Sequence, residues 1–259
     1  MLCWEDHGIV LTARPHGETA AVVTVLTAAH GRHAGLLAAA RGRGRAALCQ
    51  PGSRVVATWQ ARLAEHLGIW SLDLQRAWAA RLFDQPGPLA MVAAACAVCE
   101  TALPEREPCP AVYAGLQVLL ELAESPFWAQ AYVRWEVEVL AALGFALELD
   151  VCALTGQPDD LAFVSPRSGR AVSRRAAAPF QDRLLPLPAF LGGRPAEPSP
   201  AEPNPPEAGI AQGLALTGHF LNRHVFRHCR EGEPPARRLL QARFDNPASG
   251  IRHQESAPP

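Results

Sequence analysis

From Gly8 to about Ala79, apolar positions alternate along short β-branched runs broken by turn residues, the period of strands with one buried face. The runs GIVLTAR (8–14), AAVVTVLTA (20–28), GRHAGLLAAA (31–40), SRVVATWQARL (53–63) and GIWSLDLQRAW (68–78) are separated by PHGE, HG, an Arg-Gly loop with Gln-Pro-Gly, and AEHL. Five such strands predict a small closed barrel. An OB-fold is the natural candidate, because it has five strands and holds oligonucleotides on one face and its loops. In the fourth run, Val55, Ala57, Trp59, Ala61 and Leu63 share a face, and Arg54, Val56, Thr58, Gln60 and Arg62 share the other. The phase puts Trp59 inside the barrel rather than on a base-stacking surface, and turns Arg54 and Arg62 outward.

After Asp84 the period lengthens. GPLAMVAAACAVCETALP, PAVYAGLQVLLELAESP and FWAQAYVRWEVEVLAALGF read as three helices, the last ended by Gly144. From Asp150 to Leu191 the chain is irregular and basic, and 192–209 is a Pro-rich stretch expected to be a mobile loop. A last helical pair is expected near 210–228 and 236–243. The expected class is α+β in two domains. A five-stranded OB-fold barrel over 1–80 precedes an all-helical domain over 81–245 with an irregular basic loop region, and a frayed tail covers 246–259.

Composition narrows the chemistry. All 24 Lys+Arg positions are arginine, which excludes a P-loop lysine, a Schiff base and a Ser-Lys dyad. Seven cysteines on a chain of 259 residues without a secretory signal fit reduced thiols, and no apolar run reaches the ~18 residues of a spanning helix, so a cytoplasmic protein is expected. The net charge of -1 hides segregation: residues 1–80 carry eight Arg against five acids, and 81–164 three Arg against twelve acids. Residues 165–190 carry five Arg against one acid, and 219–243 six against two. Basic segments around an acidic middle fit a polyanion binder with a separate protein-docking region, or helices whose solvated faces differ in sign.

GRGRAA matches a dinucleotide pattern at Gly42, Gly44 and Ala47, yet a Pro-Gly turn and a strand follow it where a phosphate-binding helix should begin. Arg41, Arg43 and Arg45, spaced by glycine, suit successive phosphates better. Arg14 and Arg32 can extend that surface with Arg54 and Arg62. Cys96 and Cys99 form a C-x-x-C without a second pair and read as small packed residues. His224 and His228, one helical turn apart, lie among Arg223, Arg227 and Arg230, which favours a basic surface over a metal pair. No cofactor and no set of nucleophile, base and orienter emerges.

The stretches GIVLTARPHGETAAVVTVLTAAHGRHAGL, LCQPGSRVVATWQARLAEHLG, CALTGQPDDLAFVSPRSGRAVSR and DRLLPLPAFL together resemble RecO, the bacterial recombination mediator family, in its alphaproteobacterial form. The resemblance covers most of residues 5–245. It implies an N-terminal OB-fold, a helical C-terminal domain, binding and annealing of single- and double-stranded DNA, and no catalytic site. It implies RecR and the acidic C-terminal tail of the single-strand-binding protein as partners, RecA loading as the indirect outcome, a nucleoid-associated place in a bacterium, and leaves RecF open. DNA contacts carry over to Arg41, Arg43, Arg45, Arg54 and Arg62, and Arg167, Arg170, Arg174 and Arg175 suit phosphates or an acidic peptide. Arg134, Arg223 and Arg227 are candidates for holding the tail at a hydrophobic groove. Some members carry a four-cysteine zinc site beginning C-x-x-C-G; this chain has Cys152 but Thr155 before Gly156, and AVSRRA lacks the second pair. Two other readings stay open: a metal-dependent hydrolase using His224 and His228, and a repair scaffold that makes no DNA contact.

Overall fold

The computed structural model describes residues 1–40, 42, 45–193 and 206–245. Arg41, Arg43, most of the Pro-rich stretch and the tail lie outside the described residues. Five N-terminal strands, β1 (Leu2–His16), β2 (Ala20–Thr27), β3 (Gly31–Leu37), β4 (Arg54–Ala61) and β5 (Ile69–Arg76), close into a barrel in the order β1-β2-β3-β5-β4. β1 begins six residues earlier than its alternation suggests. Its first half pairs with β4, from Leu2↔Ala61 to Ile9↔Arg54, and its second half with β2, with a register shift between Val10 and Thr12. One strand thus serves two neighbours, and the bulge supplies the bend.

The interior is filled by Val10, Val23, Val25, Val55, Leu72 and three tryptophans that sit side by side across neighbouring strands, Trp4↔Trp59 and Trp59↔Trp70. Trp59 is 2% exposed and donates its indole N–H to Leu67 O at 3.0 Å, while Trp70 donates to Val23 O at 3.0 Å. Each buried indole contributes ~1.5–3 kcal/mol or more by area, provided its N–H finds an acceptor. The Trp59 phase is therefore as expected, but Leu63 is not inside: β4 ends at Ala61, and Leu63 lies exposed in the following loop. Gly68, at φ +71, lies against the Trp59 indole; a Cβ there would come within 2.3 Å of it.

After a short helix α1 (Trp78–Arg81), the helices α2 (Pro86–Ala102), α3 (Pro110–Glu121) and α4 (Trp128–Ala142) form where predicted, and α4 stops before Gly144 at φ +86. α2 is apolar on nearly every side because it is enclosed, with Met91, Ala94, Cys96 and Val98 inaccessible. One core joins these helices to Ile9, Leu11 and Leu26 on the outside of the barrel. Cys96 and Cys99 are packed here, and burial pushes Cys96 up to about 12 and Cys99 well above the ordinary thiol value.

The C-terminal region is not all-helical, and its basic segment is not irregular throughout. β6 (Leu161–Val164), β7 (Ala171–Ser173) and β8 (Leu185–Pro186) form a small antiparallel sheet in the order β7-β6-β8, with a helical turn α5 (Arg174–Ala177) between the last two. Four, three and two residues are too few to show alternation, and β6 is buried on both faces, so it reads as a plain apolar run. α6 (Pro206–His224) starts four residues before the expected helix, inside the stretch expected to be a loop, and α7 (Pro235–Asp245) ends the described chain.

The connection from α2 to α3 straps the barrel. Arg32 Nε donates to Leu103 O at 2.9 Å, and Arg106 N–H donates back to Arg32 O at 2.8 Å. The Arg106 guanidinium then reaches the β4–β5 loop, donating to Ala64 O and, at 2.9 Å, to His66 O. Gly31, at φ +66, admits this strap: a Cβ would stand 2.0 Å from Glu107 O. α4, α6 and α7 meet at a buried charge pair. Arg237 and Glu136 are both fully buried, with Nε–Oε1 at 2.7 Å and Nη2–Oε2 at 3.0 Å.

Candidate nucleic-acid interface

The arginines sort by whether a carboxylate already holds them. Arg45 is exposed, donates Nη1 to Ala38 O at 2.8 Å, and takes part in no ion pair among the described residues. Arg62 is likewise exposed and in no ion pair among the described residues, and lines a cleft of about 300 Å³ with Met1, Gln60, His66 and Ile69. Arg14 projects into solvent 3.8 Å from Glu100. Arg32 is different: it is largely covered, its Nε is spent on Leu103 O, and its Nη1 lies 3.7 Å from both Glu100 and Glu105. Its position is that of a tie between barrel and α2. Arg54 turns outward as its phase requires, but toward Glu121 of α3 at 3.8 Å.

The second basic group divides as well. Arg170 is hydrogen-bonded to Glu148 at 2.8 Å, and Arg174 stands 3.5 Å from Asp160. Arg175 and Arg167 are exposed and outside any ion pair. Arg167 lines a cleft of about 360 Å³ together with Leu154, Val172, Phe180 and Arg183, the last not singled out by sequence pattern.

The three arginines expected to hold a peptide tail lie at two places. Arg134 borders a groove of about 310 Å³ between α3 and α4, lined by Val118, Leu119, Leu122 and Trp135, with its own guanidinium set by Phe190 O at 2.8 Å. The Trp135 indole N–H in this groove has no hydrogen-bond partner, although it is buried. Arg223 is at the end of α6, donating to Pro166 O at 2.8 Å and so fixing the β6–β7 turn, with Arg227 exposed beyond it. His224 stacks on Phe145 at 4.6 Å, and His228 is exposed. Among the described residues, no group of three or more His, Cys, Asp or Glu side chains is placed to hold a metal, so the hydrolase reading has no ligand set.

The residues at the family's zinc position do not fit that ion. Cys152 is the only thiol there, and its sulfur accepts the Ser173 N–H at 3.3 Å and lies 3.5 Å from Ser173 Oγ. Burial raises this thiol, but hydrogen bonds from Thr155 and Ser173 outweigh it and bring it down to about 6. Cys152 N–H also closes the turn onto Gln157 O at 2.8 Å. A hydrogen-bonded turn stands where four thiolates would be needed.

Barrel and helical region define a mixed α+β protein with an N-terminal five-stranded sheet and a mainly helical C-terminal part. The family model described as "Recombination protein O N terminal" matches residues 1–72, and that described as "Recombination protein O C terminal" matches residues 86–232. Curated relatives are the DNA repair protein RecO of Rhodospirillum centenum, 50% identical over 91% of this chain and 91% of that protein, and of Rhodospirillum rubrum, 50% identical over 94% and 97%. That of a Cereibacter sphaeroides strain is 46% identical over 87% of this chain and 90% of its own length. The chain belongs to the RecO family of DNA repair proteins. Among the described residues, no helix is long and apolar enough to cross a membrane.

Proposed function

We propose that this chain is a recombination mediator whose barrel, an OB-fold over 1–80, and whose domain over 81–245 bind single- and double-stranded DNA and anneal complementary strands. The supporting observation is a set of arginines outside any ion pair among the described residues, Arg45 and Arg62 on the barrel and Arg167, Arg175 and Arg183 in the C-terminal region; Arg41 and Arg43 adjoin Arg45 in the sequence and lie outside the described residues. Two strands repel through their phosphates. Two separate cationic surfaces lower that repulsion while leaving base edges free to pair. Neither surface has to read sequence. In the cell the chain acts in the cytoplasm at the nucleoid, with RecR, to help load RecA; no enzymatic step is assigned to it.

Neutralising about five or six phosphates gives a slope of log K against log salt near -4 on a single strand. Anisotropy of a labelled oligonucleotide across a salt series checks this, and replacing Arg41, Arg43 and Arg45 by Ala reduces the slope by about 2. A wild-type chain that fails to bind at low salt leaves the scaffold reading in its place.

The α3–α4 groove is the reading's site for the tail of the single-strand-binding protein. An apolar floor takes the side chains, Arg134 takes the carboxylate, and the unpartnered Trp135 N–H takes a peptide carbonyl. Arg134→Ala weakens a fluorescent tail peptide about tenfold or more, while Arg223→Ala leaves it unchanged, because Arg134 lines the groove and Arg223 does not. Equal effects from both variants would remove the groove from the account.

A further inference from the structure

Arg54 and Arg76 face each other across β4 and β5. Both guanidiniums turn to one carboxylate, that of Glu121 at the last position of α3: Arg76 Nη1 lies 2.6 and 2.8 Å from its two oxygens, and Arg54 Nη1 3.8 Å from one of them. Three residues on, Glu124 accepts two hydrogen bonds from Arg81, at 2.7 and 3.2 Å. Arg76 and Arg81 are further fixed over the Trp78 ring, at 4.8 and 5.5 Å from its centroid. Three preorganised guanidiniums therefore meet two carboxylates.

The acids sit where their own helix disfavours them. A helix C-terminus carries partial negative charge and suits cations, so Arg54 and Arg76 of the barrel and Arg81 of α1, and not α3, hold Glu121 and Glu124 in place. α3 itself is anchored by Leu116, Leu119 and Leu120 in the core. The Glu121 side chain is not: it is 51% exposed, free to swing away while the helix stays. A planar guanidinium fork accepts carboxylate and phosphate with the same two-pronged geometry.

We infer that Arg54 and Arg76 of the barrel and Arg81 of α1 form a phosphodiester subsite, occupied by Glu121 and Glu124 as stand-ins for two successive backbone phosphates. The inference rests on the DNA-binding reading above and adds its regulation: a strand reaching this face must displace two carboxylates, so the helical region sets how tightly the barrel holds DNA. Arg76 and Arg81 join the contact surface. The two glutamates lower affinity.

The test measures anisotropy of a fluorescein-labelled thymidine oligonucleotide with the full chain across a salt series. Glu121→Gln with Glu124→Gln is expected to tighten binding roughly tenfold at low salt and to steepen the slope by about 1.4, the equivalent of two more phosphates. Adding Arg76→Ala should cancel most of the gain. Glu124→Gln alone, in the turn beyond α3, should give about a threefold gain with no demand on helix stability. A wild-type chain that binds DNA while these variants match it in affinity and slope overturns the subsite, as does a gain that survives Arg76→Ala. A wild-type chain that does not bind at low salt overturns the DNA-binding reading instead.

Discussion

Arg237→Met is expected to destabilise the chain by about 3–5 kcal/mol, read as a lowered urea midpoint and a melting temperature lower by roughly 10 °C. The reason is what the substitution leaves behind. Glu136 is fully buried, and its oxygens accept from Arg237 Nε and Nη2 and from Thr217 Oγ1, the last at 2.5 Å. Arg237 also binds Glu233 at 2.5 Å and Leu214 O at 2.9 Å, so one guanidinium ties α4, α6 and the start of α7. Burial works against this cation, but the Glu136 carboxylate more than compensates and holds its pKa above the ordinary arginine value. Removing the cation strands an anion in the core. Adding Glu136→Leu should restore most of the loss, because two apolar residues need no partner. If Arg237→Met costs no more than an exposed substitution, the pair is not what joins the helices.

Stability is expected to fall by up to about 3 kcal/mol between pH 6.5 and pH 4 on account of His33 alone. This ring is 6% exposed, packs edge-on against Trp59 at 4.6 Å, and neither of its nitrogens has a hydrogen-bond partner. Burial first, and the Arg106 cation second, lower its pKa from 6.5 to about 4, while the His30 backbone and the Glu105 carboxylate oppose the shift. The folded-state pKa lies below the unfolded one, so through this window the unfolded chain takes up a proton that the folded chain refuses. The contribution is complete above pH 6.5 and is lost as pH falls through 4. Urea unfolding at a series of pH values checks the sign. His33→Phe should flatten that part of the acid limb, and a variant curve parallel to wild type would assign the loss to other groups.

Much of the barrel was legible because its punctuation is local. The HG pair before β3, the Gln-Pro-Gly before β4 and the period of Val55, Ala57 and Trp59 placed the starts of those strands within a residue, while β3 stops three residues short of its apolar run. The front of β1 was not legible, since Glu5 and Asp6 break the pattern, and its pairing is supplied from β4 more than fifty residues away. The small sheet of β6, β7 and β8 lacked the length to show a period. Charge was legible as amount but not as partnership. The acidic middle segment looked like a surface for another protein, yet Glu100, Glu121 and Glu124 meet Arg14, Arg32, Arg54, Arg76 and Arg81 of the chain's own N-terminal part. Arg237 belonged, by composition, to a basic helix face and sits in the core instead. The free arginines emerge only after these pairings are removed.

The strap from Leu103 to Cys109 bears on how such a chain can change over generations. β3 and β5 share only the pairs Leu36↔Ile69 and Leu37↔Trp70, and the strap bridges from Gly31 and Arg32 to the loop at Ala64 and His66. The barrel is thus completed by residues that the sequence places after it, and its outer wall at Ile9, Leu11 and Leu26 is another segment's core. Neither half is a cassette. A lineage that exchanged the N-terminal segment for another barrel would also have to recut the strap and the face of α2, so the two segments are bound to drift together.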